Sequence, residues 1–301
     1  MALSHDPSWP RAGAWPAFDG ARADAAIVGV PVWRTSLSPT GAHATPVAIR
    51  EALPRYSATL MGPPVVDLNE ALRIVDAGDV PDPDGDEGTE RTVTRVAELA
   101  AASRRVIALG GDNSLTYSVA RGAAATGLIT FDAHFDLRDG VSNGTPVRRL
   151  VEDAPAGERL DPRRIVQIGI ADYANSAAYA QRAADWGIRV ITLDELRARG
   201  IADVTAEALE IAGAGADPRI HLDIDVDVCD RSVAPGCPAS VPGGLAAWEL
   251  RALTRAVGAD ARVTSADLAE VDATVDAEDG RTVRLAALCV LELLAGLVGA
   301  G

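Results

Sequence analysis

Short apolar runs of strand length alternate with segments of helical period along almost the whole chain. That alternation restricts the fold to an α/β arrangement, a parallel sheet with helices packed on its faces. The runs are Ala25–Val30, Arg73–Asp76, Arg105–Leu109, Leu128–Asp132, Arg164–Gly169, Arg189–Thr192, Arg219–Asp225 and Val263–Leu268. Between them Thr45–Leu60, Glu87–Ser103, Ser114–Ala125, Ser176–Trp186, Thr205–Ala212, Ala246–Val257 and Asp279–Leu297 read as helices, and the acidic Pro/Gly segment Asp76–Gly88 reads as a surface loop. No linker-like stretch divides the sequence, so residues 1–301 are expected to form one domain, with 1–20 as an irregular lead-in. In an open parallel sheet ligands bind outside the carboxyl ends of the strands, which directs attention to the polar residues that follow these runs.

Charge narrows the partners. The formal net charge is -15 and no segment concentrates arginine into a basic face, which excludes nucleic acid and anionic membrane and leaves a small molecule as the expected partner. The sequence contains no lysine, so Schiff-base chemistry and a P-loop lysine are excluded. Cys229, Cys237 and Cys289 build neither a disulfide framework nor a zinc knuckle, and a cytoplasmic location is expected. The amino-terminal residues lack the basic-then-apolar pattern of a leader, and Leu285–Gly299, interrupted by Glu292, reads as a final buried helix rather than a membrane span.

Two strand ends carry the chemistry. After Leu128-Ile-Thr-Phe come Asp132, His134 and Asp136 at alternate positions, able to lean to one side of an extended chain. In Arg219–Asp230, His221, Asp223, Asp225 and Asp227 also fall at every second position, opposite a face of Ile, Leu and Val. A row of carboxylates facing a buried interior needs cations or hydrogen bonds to compensate it. Carboxylate oxygens with one imidazole suit a divalent ion such as Mn²⁺. Asp132, His134, Asp136, Asp225 and Asp227 suffice for two such ions sharing bridging carboxylates, and four aspartates balance two divalent charges.

These segments, with Gly110-Gly-Asp-Asn-Ser114, Ala234-Pro-Gly236, Ala266–Val271 through Asp276, and the Gly-rich Gly41–Arg50, resemble the arginase/agmatinase (ureohydrolase) family in the family's own order. The resemblance implies a three-layer α/β/α domain with a mostly parallel sheet of about eight strands. It implies two manganese ions bridged by Asp132 and Asp225, with His134 and Asp227 on one ion and Asp136 on the other. It implies a homo-oligomer, trimer or hexamer. Where the family usually has a histidine ligand this chain has Asn113; coordination through its amide oxygen would give a weaker first site. Asp223, where relatives commonly carry Ser, either orients Asn113 or a ligand from behind or pairs with a buried Arg, and Asp230 is expected to support the second ligand strand.

The loop after Asp136, with Leu137-Arg138 and Ser142–Arg149, resembles the formimidoylglutamase branch, and Asn143 stands where arginase-like members carry a proton-shuttling His. The resemblance thus implies hydrolysis of N-formimidoyl-L-glutamate to glutamate and formamide, a step of histidine breakdown. A dianionic substrate needs guanidinium groups, for which Arg138, Arg148 and Arg149 are the nearest candidates. Glu270 would hold the cationic carbon of the amidine, and Asp136 or Asp223 would pass the proton to the leaving nitrogen. A urea-releasing guanidino hydrolase and a non-catalytic scaffold that lost its first metal through Asn113 are the rival readings. His221 is expected to be a hydrogen-bonded core residue and Cys237 inert, while His5 and His43 carry no motif of their own.

Overall fold

The computed structural model describes residues 6–299. Ten strands form in chain order: β1 (Ala23–Val30), β2 (Thr59–Leu60), β3 (Val66–Asp67), β4 (Ile74–Asp79), β5 (Ser103–Gly110), β6 (Gly127–Phe131), β7 (Ile165–Ile170), β8 (Arg189–Thr192), β9 (Ile220–Asp225) and β10 (Val263–Ala269). Eight make one sheet in the order β4-β1-β5-β10-β9-β6-β7-β8, and each neighbouring pair is parallel. Helices cover both faces, which gives the expected three layers.

Alternation along the strands decides what each face buries. One face is apolar from edge to edge: Ile107, Leu109, Ala266, Leu268, Leu222, Ile224, Ile129, Phe131, Val166 and Ile168 join one cluster with residues from the helices Thr45–Ala52, Ile201–Ala212, Ala247–Gly258 and Arg281–Gly299. The opposite face holds two smaller apolar clusters, one around Val28, Val106, Val96, Leu99 and Leu115, the other around Leu128, Ile165, Val147, Leu150 and Ala183. Between those clusters the central strands present a polar seam of Ser265, Asp267, His221, Asp223, Asp225, Thr130, Asp132 and Gln167, all buried. His221 is a hydrogen-bonded core residue as expected, with Nδ1 2.8 Å from Ser265 Oγ and Nε2 2.9 Å from Asp267 Oδ2.

Several boundaries differ from the sequence expectation. The helix expected over Thr45–Leu60 ends at Ala52 and tightens into a 3₁₀ turn at Leu53–Arg55, since Pro54 cannot continue the ladder of hydrogen bonds; β2 and β3 then pair antiparallel. The segment 76–88 is shorter as a loop than its composition suggested: β4 runs to Asp79 and the next helix starts at Gly85. Two further short helices, Pro146–Glu152 and Leu193–Arg199, lie in segments read as connections. The final helix Arg281–Gly299 is largely buried, Asp276 accepts from Thr282 Oγ1 at 2.7 Å at its start, and no helix among the described residues is long and apolar enough to cross a membrane. Residues 6–20 form turns and isolated bridges, as expected of the lead-in; residues 1–5, His5 among them, lie outside the described residues.

Candidate active site

The chain leaves the first half of the sheet through β5 and resumes at β6, with β10 and β9 lying between them. The carboxyl ends of β5, β6, β9 and β10 therefore meet at the topological switch point, where an α/β sheet opens a crevice. A cavity of about 540 Å³ occupies it, lined by His134, Asp136, Arg138, Asn143, Asp225, Asp227 and Glu270, with Leu37, Ser38, Tyr173 and Asn175 among the other walls.

Asp132 follows the last residue of β6 and is fully buried. Its Oδ1 accepts from the His134 backbone N–H at 2.6 Å, while Oδ2 is buried without a hydrogen-bond partner. Asp225 ends β9 and caps the 3₁₀ turn Val226–Val228, accepting from Asp227 N–H at 2.8 Å. That turn swings Asp227 back over β6: its Oδ1 accepts from Ala133 N–H at 2.9 Å and its Oδ2 lies 2.6 Å from His134 Nδ1. Ligand atoms of Asp132, His134 and Asp227 lie within 4.8 Å of one another. Asp136 completes the bay from a left-handed backbone (φ 53°), a conformation unfavourable for a residue with a Cβ and one that aims its carboxylate inward.

The electrostatics show a bay built for cations. Burial, then the charges of Asp136 and Asp227, push Asp132 well above the usual carboxylate range; burial, then Asp227 and Asp132, do the same to Asp225. Asp136 is pushed up to about 7, chiefly by burial and against the attraction of His134. Burial alone would lower the His134 imidazole, but neighbouring Asp227 raises it to about 9. Crowded carboxylates with an unpartnered oxygen and one imidazole fit a pair of divalent ions, and the donor set lacks the thiolates of a structural zinc site.

Glu270 follows β10, also left-handed at φ 61°. Its Oε1 accepts from Asn113 N–H and from Asn143 Nδ2, both at 2.8 Å, and burial followed by the charge of Asp112 raises it to about 8. Asn143 accepts in turn from Leu37 N–H at 3.0 Å, so both ends of its amide are engaged. It lines the cavity and braces Glu270.

The other expected site residues have different surroundings. Asn113 donates from Nδ2 to Asp136 Oδ2 at 2.7 Å and its Oδ1 accepts from Thr116 Oγ1 at 2.8 Å, an arrangement that ties its amide to Asp136. Arg148 turns away from the cavity, binding the carbonyls of Arg138 and Gly140 at 2.8 and 2.7 Å and pairing with Asp153 at 2.8 Å. Arg149 lies 3.8 Å above the Tyr117 ring. Neither lines the cavity, since Arg148 is held by Asp153 and the carbonyls of the preceding loop, and Arg149 by the Tyr117 ring. Arg138 does line it, exposed, and its guanidinium makes no ion pair or hydrogen bond among the described residues. The side chain lies across Gly144, where an added Cβ would stand 2.8 Å from Arg138 Cδ.

Asp223 sits one layer beneath the bay. Burial, then the charges of Asp267 and Asp136, push its carboxyl well above the usual range, and among the described residues neither of its oxygens completes a hydrogen bond and no buried Arg pairs with it. Asp230 accepts from Gly243 N–H at 2.6 Å and from Ser232, fixing the loop after β9 and not a ligand. Cys237 is buried, and burial raises its thiol well above the ordinary value, in keeping with an inert role. His43 lies against Trp33 with the rings tilted by 46°, outside the cavity lining. Tyr173, fully exposed and left-handed at φ 65°, and Leu37 are rim residues that the sequence reading missed, since no motif surrounds them.

Known proteins carry this architecture. The chain is 36% identical over 294 residues to a formimidoylglutamase of Halalkalibacterium halodurans, covering 93% of this chain and 89% of that one. The crystal structure of formimidoylglutamase from Bacillus subtilis superposes with a TM-score of 0.88 at 30% identity, covering 99% of this chain and 94% of that one. A Trypanosoma cruzi formiminoglutamase crystallised with Mn²⁺ superposes with a TM-score of 0.84 at 26% identity, covering 96% and 99%. A sequence model of the arginase family matches residues 23–296, which hold the whole sheet and the bay at its rim, and the chain belongs to that family.

Proposed function

We propose that residues 1–301 act as one hydrolase domain that cleaves the amidine C–N bond of N-formimidoyl-L-glutamate with water, releasing glutamate and formamide. The observation that carries this reading is the placement of Arg138: a guanidinium, unpaired among the described residues, on the wall of an otherwise acidic bay. An amidinium group suits the carboxylates, and a carboxylate tail suits Arg138. The names of the relatives point the same way. Asp132, His134, Asp136, Asp225 and Asp227 would hold two Mn²⁺ ions, which when bound supply Lewis acidity and a nucleophile from water at neutral pH.

The chain's own residues do the rest. Glu270, fixed by Asn113 and Asn143, faces the amidinium and holds its carbon in line for attack, stabilising the charge that develops there. Arg138 anchors a carboxylate of the substrate and sets the distance from that anchor to Glu270. The Asp136 carboxyl, with Oδ2 committed to Asn113, passes a proton from Oδ1 to the departing nitrogen; Asp223 lies outside the cavity lining. Three buried free cysteines accord with a reducing, cytoplasmic setting, and we propose a trimer or hexamer as the working assembly.

The test is an assay of manganese-supplied protein with N-formimidoyl-L-glutamate, reading formamide and glutamate, beside guanidino substrates read by urea release. Urea without formamide would replace this proposal by a guanidino hydrolase. A manganese count of zero or one per chain with no hydrolysis of either would leave a scaffold.

A further inference from the structure

The polar seam extends below the bay into a layer that the proposed reaction does not use. By strand register Gln167, Thr130, Asp223 and Asp267 stand abreast on β7, β6, β9 and β10, so their side chains share one face of the sheet. All four are fully buried. Each has oxygen atoms without a partner: Gln167 Oε1, Thr130 Oγ1, both oxygens of Asp223, and Asp267 Oδ1. Gln167 spends its Nε2 on the Phe135 carbonyl at 2.9 Å, which leaves the oxygen as its free end. Asp267 Oδ2 is taken by His221, and no ion pair joins Asp223 to a cationic side chain among the described residues.

Adjacent strands are about 4.8 Å apart, so the unpartnered atoms of Thr130, Asp223 and Asp267 are neighbours across two strand spacings. An orphaned carboxylate in such a place is strongly disfavoured unless something of opposite charge stands against it. We propose that this layer binds one alkali-metal cation, sodium or potassium, between Asp223 and Asp267, with Thr130, beside Asp223 on β6, adding an oxygen. The donors are oxygens alone, as hard cations require. A single charge matches Asp223, since Asp267 already faces His221. A divalent ion belongs one layer higher, where the carboxylates are more numerous and the cavity gives water access. The bound cation also offsets negative charge directly beneath Asp132 and Asp225.

The test uses the full chain, manganese-supplied, melted in sodium, potassium or tetramethylammonium chloride at equal ionic strength. Sodium or potassium should raise the melting temperature saturably above tetramethylammonium. Thr130→Val, which removes one oxygen at equal volume, should weaken the half-saturating concentration about tenfold, the worth of one modest ligand contact. Asp223→Asn should abolish the dependence and, in tetramethylammonium, melt higher than the parent because the orphan charge is gone. Crystals soaked in thallium(I) should show an anomalous peak between Asp223 and Asp267. Identical melting in all three salts, or a thallium peak elsewhere, overturns the site in favour of a shared proton or enclosed water. Cation dependence that survives in both variants overturns it equally.

Discussion

At the scale of single residues, partners decide role more than type does. Arg138, Arg148 and Arg149 are indistinguishable in the sequence, yet only Arg138 is left without an ion pair or hydrogen bond for its guanidinium, while Arg148 is saturated by Asp153 and two carbonyls. Arg138→Met should therefore raise KM for formimidoylglutamate by about 30-fold or more, a loss of roughly 2 kcal/mol, with kcat little altered. Steady-state kinetics check this; an unchanged KM would move the anchor elsewhere. Asn143 shows the opposite division. Because its amide braces Glu270, Asn143→Ala should lower kcat on the order of 10- to 100-fold while KM holds, as loss of supporting hydrogen bonds does elsewhere. Asp132, His134, Asp225 and Asp227, proposed here as ligands, were legible as a cluster at and just past the ends of β6 and β9, although Asp227 reaches the bay through the 3₁₀ turn after β9 and not by strand alternation. The orientation of Asn113 was not, for it depends on Thr116 and Asp136 rather than on any local pattern.

At the scale of elements, the eight strands of the main sheet were legible to within about three residues at each end, being short apolar runs that are buried in the sheet, while the two-residue strands β2 and β3 were not. The short helix Pro146–Glu152 was not, being too brief to show a period, and with it went the direction of Arg148 and Arg149. Arg105 was hidden for another reason: nothing in a sequence marks an arginine as buried. It lies in β5 fully enclosed and donates to the carbonyls of Val263 at 2.9 Å, Leu293 at 2.7 Å and Asp260 at 3.3 Å, joining β10, the last helix and the turn before β10. Burial lowers it to about 10. Arg105→Met would strand those carbonyls and should destabilise the fold by roughly 3 kcal/mol, with KM unchanged. Urea unfolding of the manganese-loaded protein measures the loss; a midpoint equal to the parent's would contradict the role.

At the scale of the whole molecule, the bay sets how stability responds to pH. Asp136 and Glu270 have folded-state values of about 7 and about 8, above the ~4 of an unfolded carboxyl, and His134 is raised to about 9. All three are raised, so each contributes stability at low pH that is lost as pH climbs through its folded value. The chelator-treated protein should therefore lose stability from about pH 4 to about pH 9. Manganese binding displaces those protons, so its affinity should rise over the same window and flatten or reverse the slope. Melting curves with chelator or with manganese across that range test both signs; parallel profiles would show that the bay is not where the metal acts. The sheet order carries a last consequence, for the timing of synthesis. His134 and Asp227 are 93 positions apart, and β9 and β10, made late, lie between strands made early. A nascent chain on the ribosome owns half a clasp for much of its synthesis and can close it on an ion only when its final strands have slotted into the middle of the sheet.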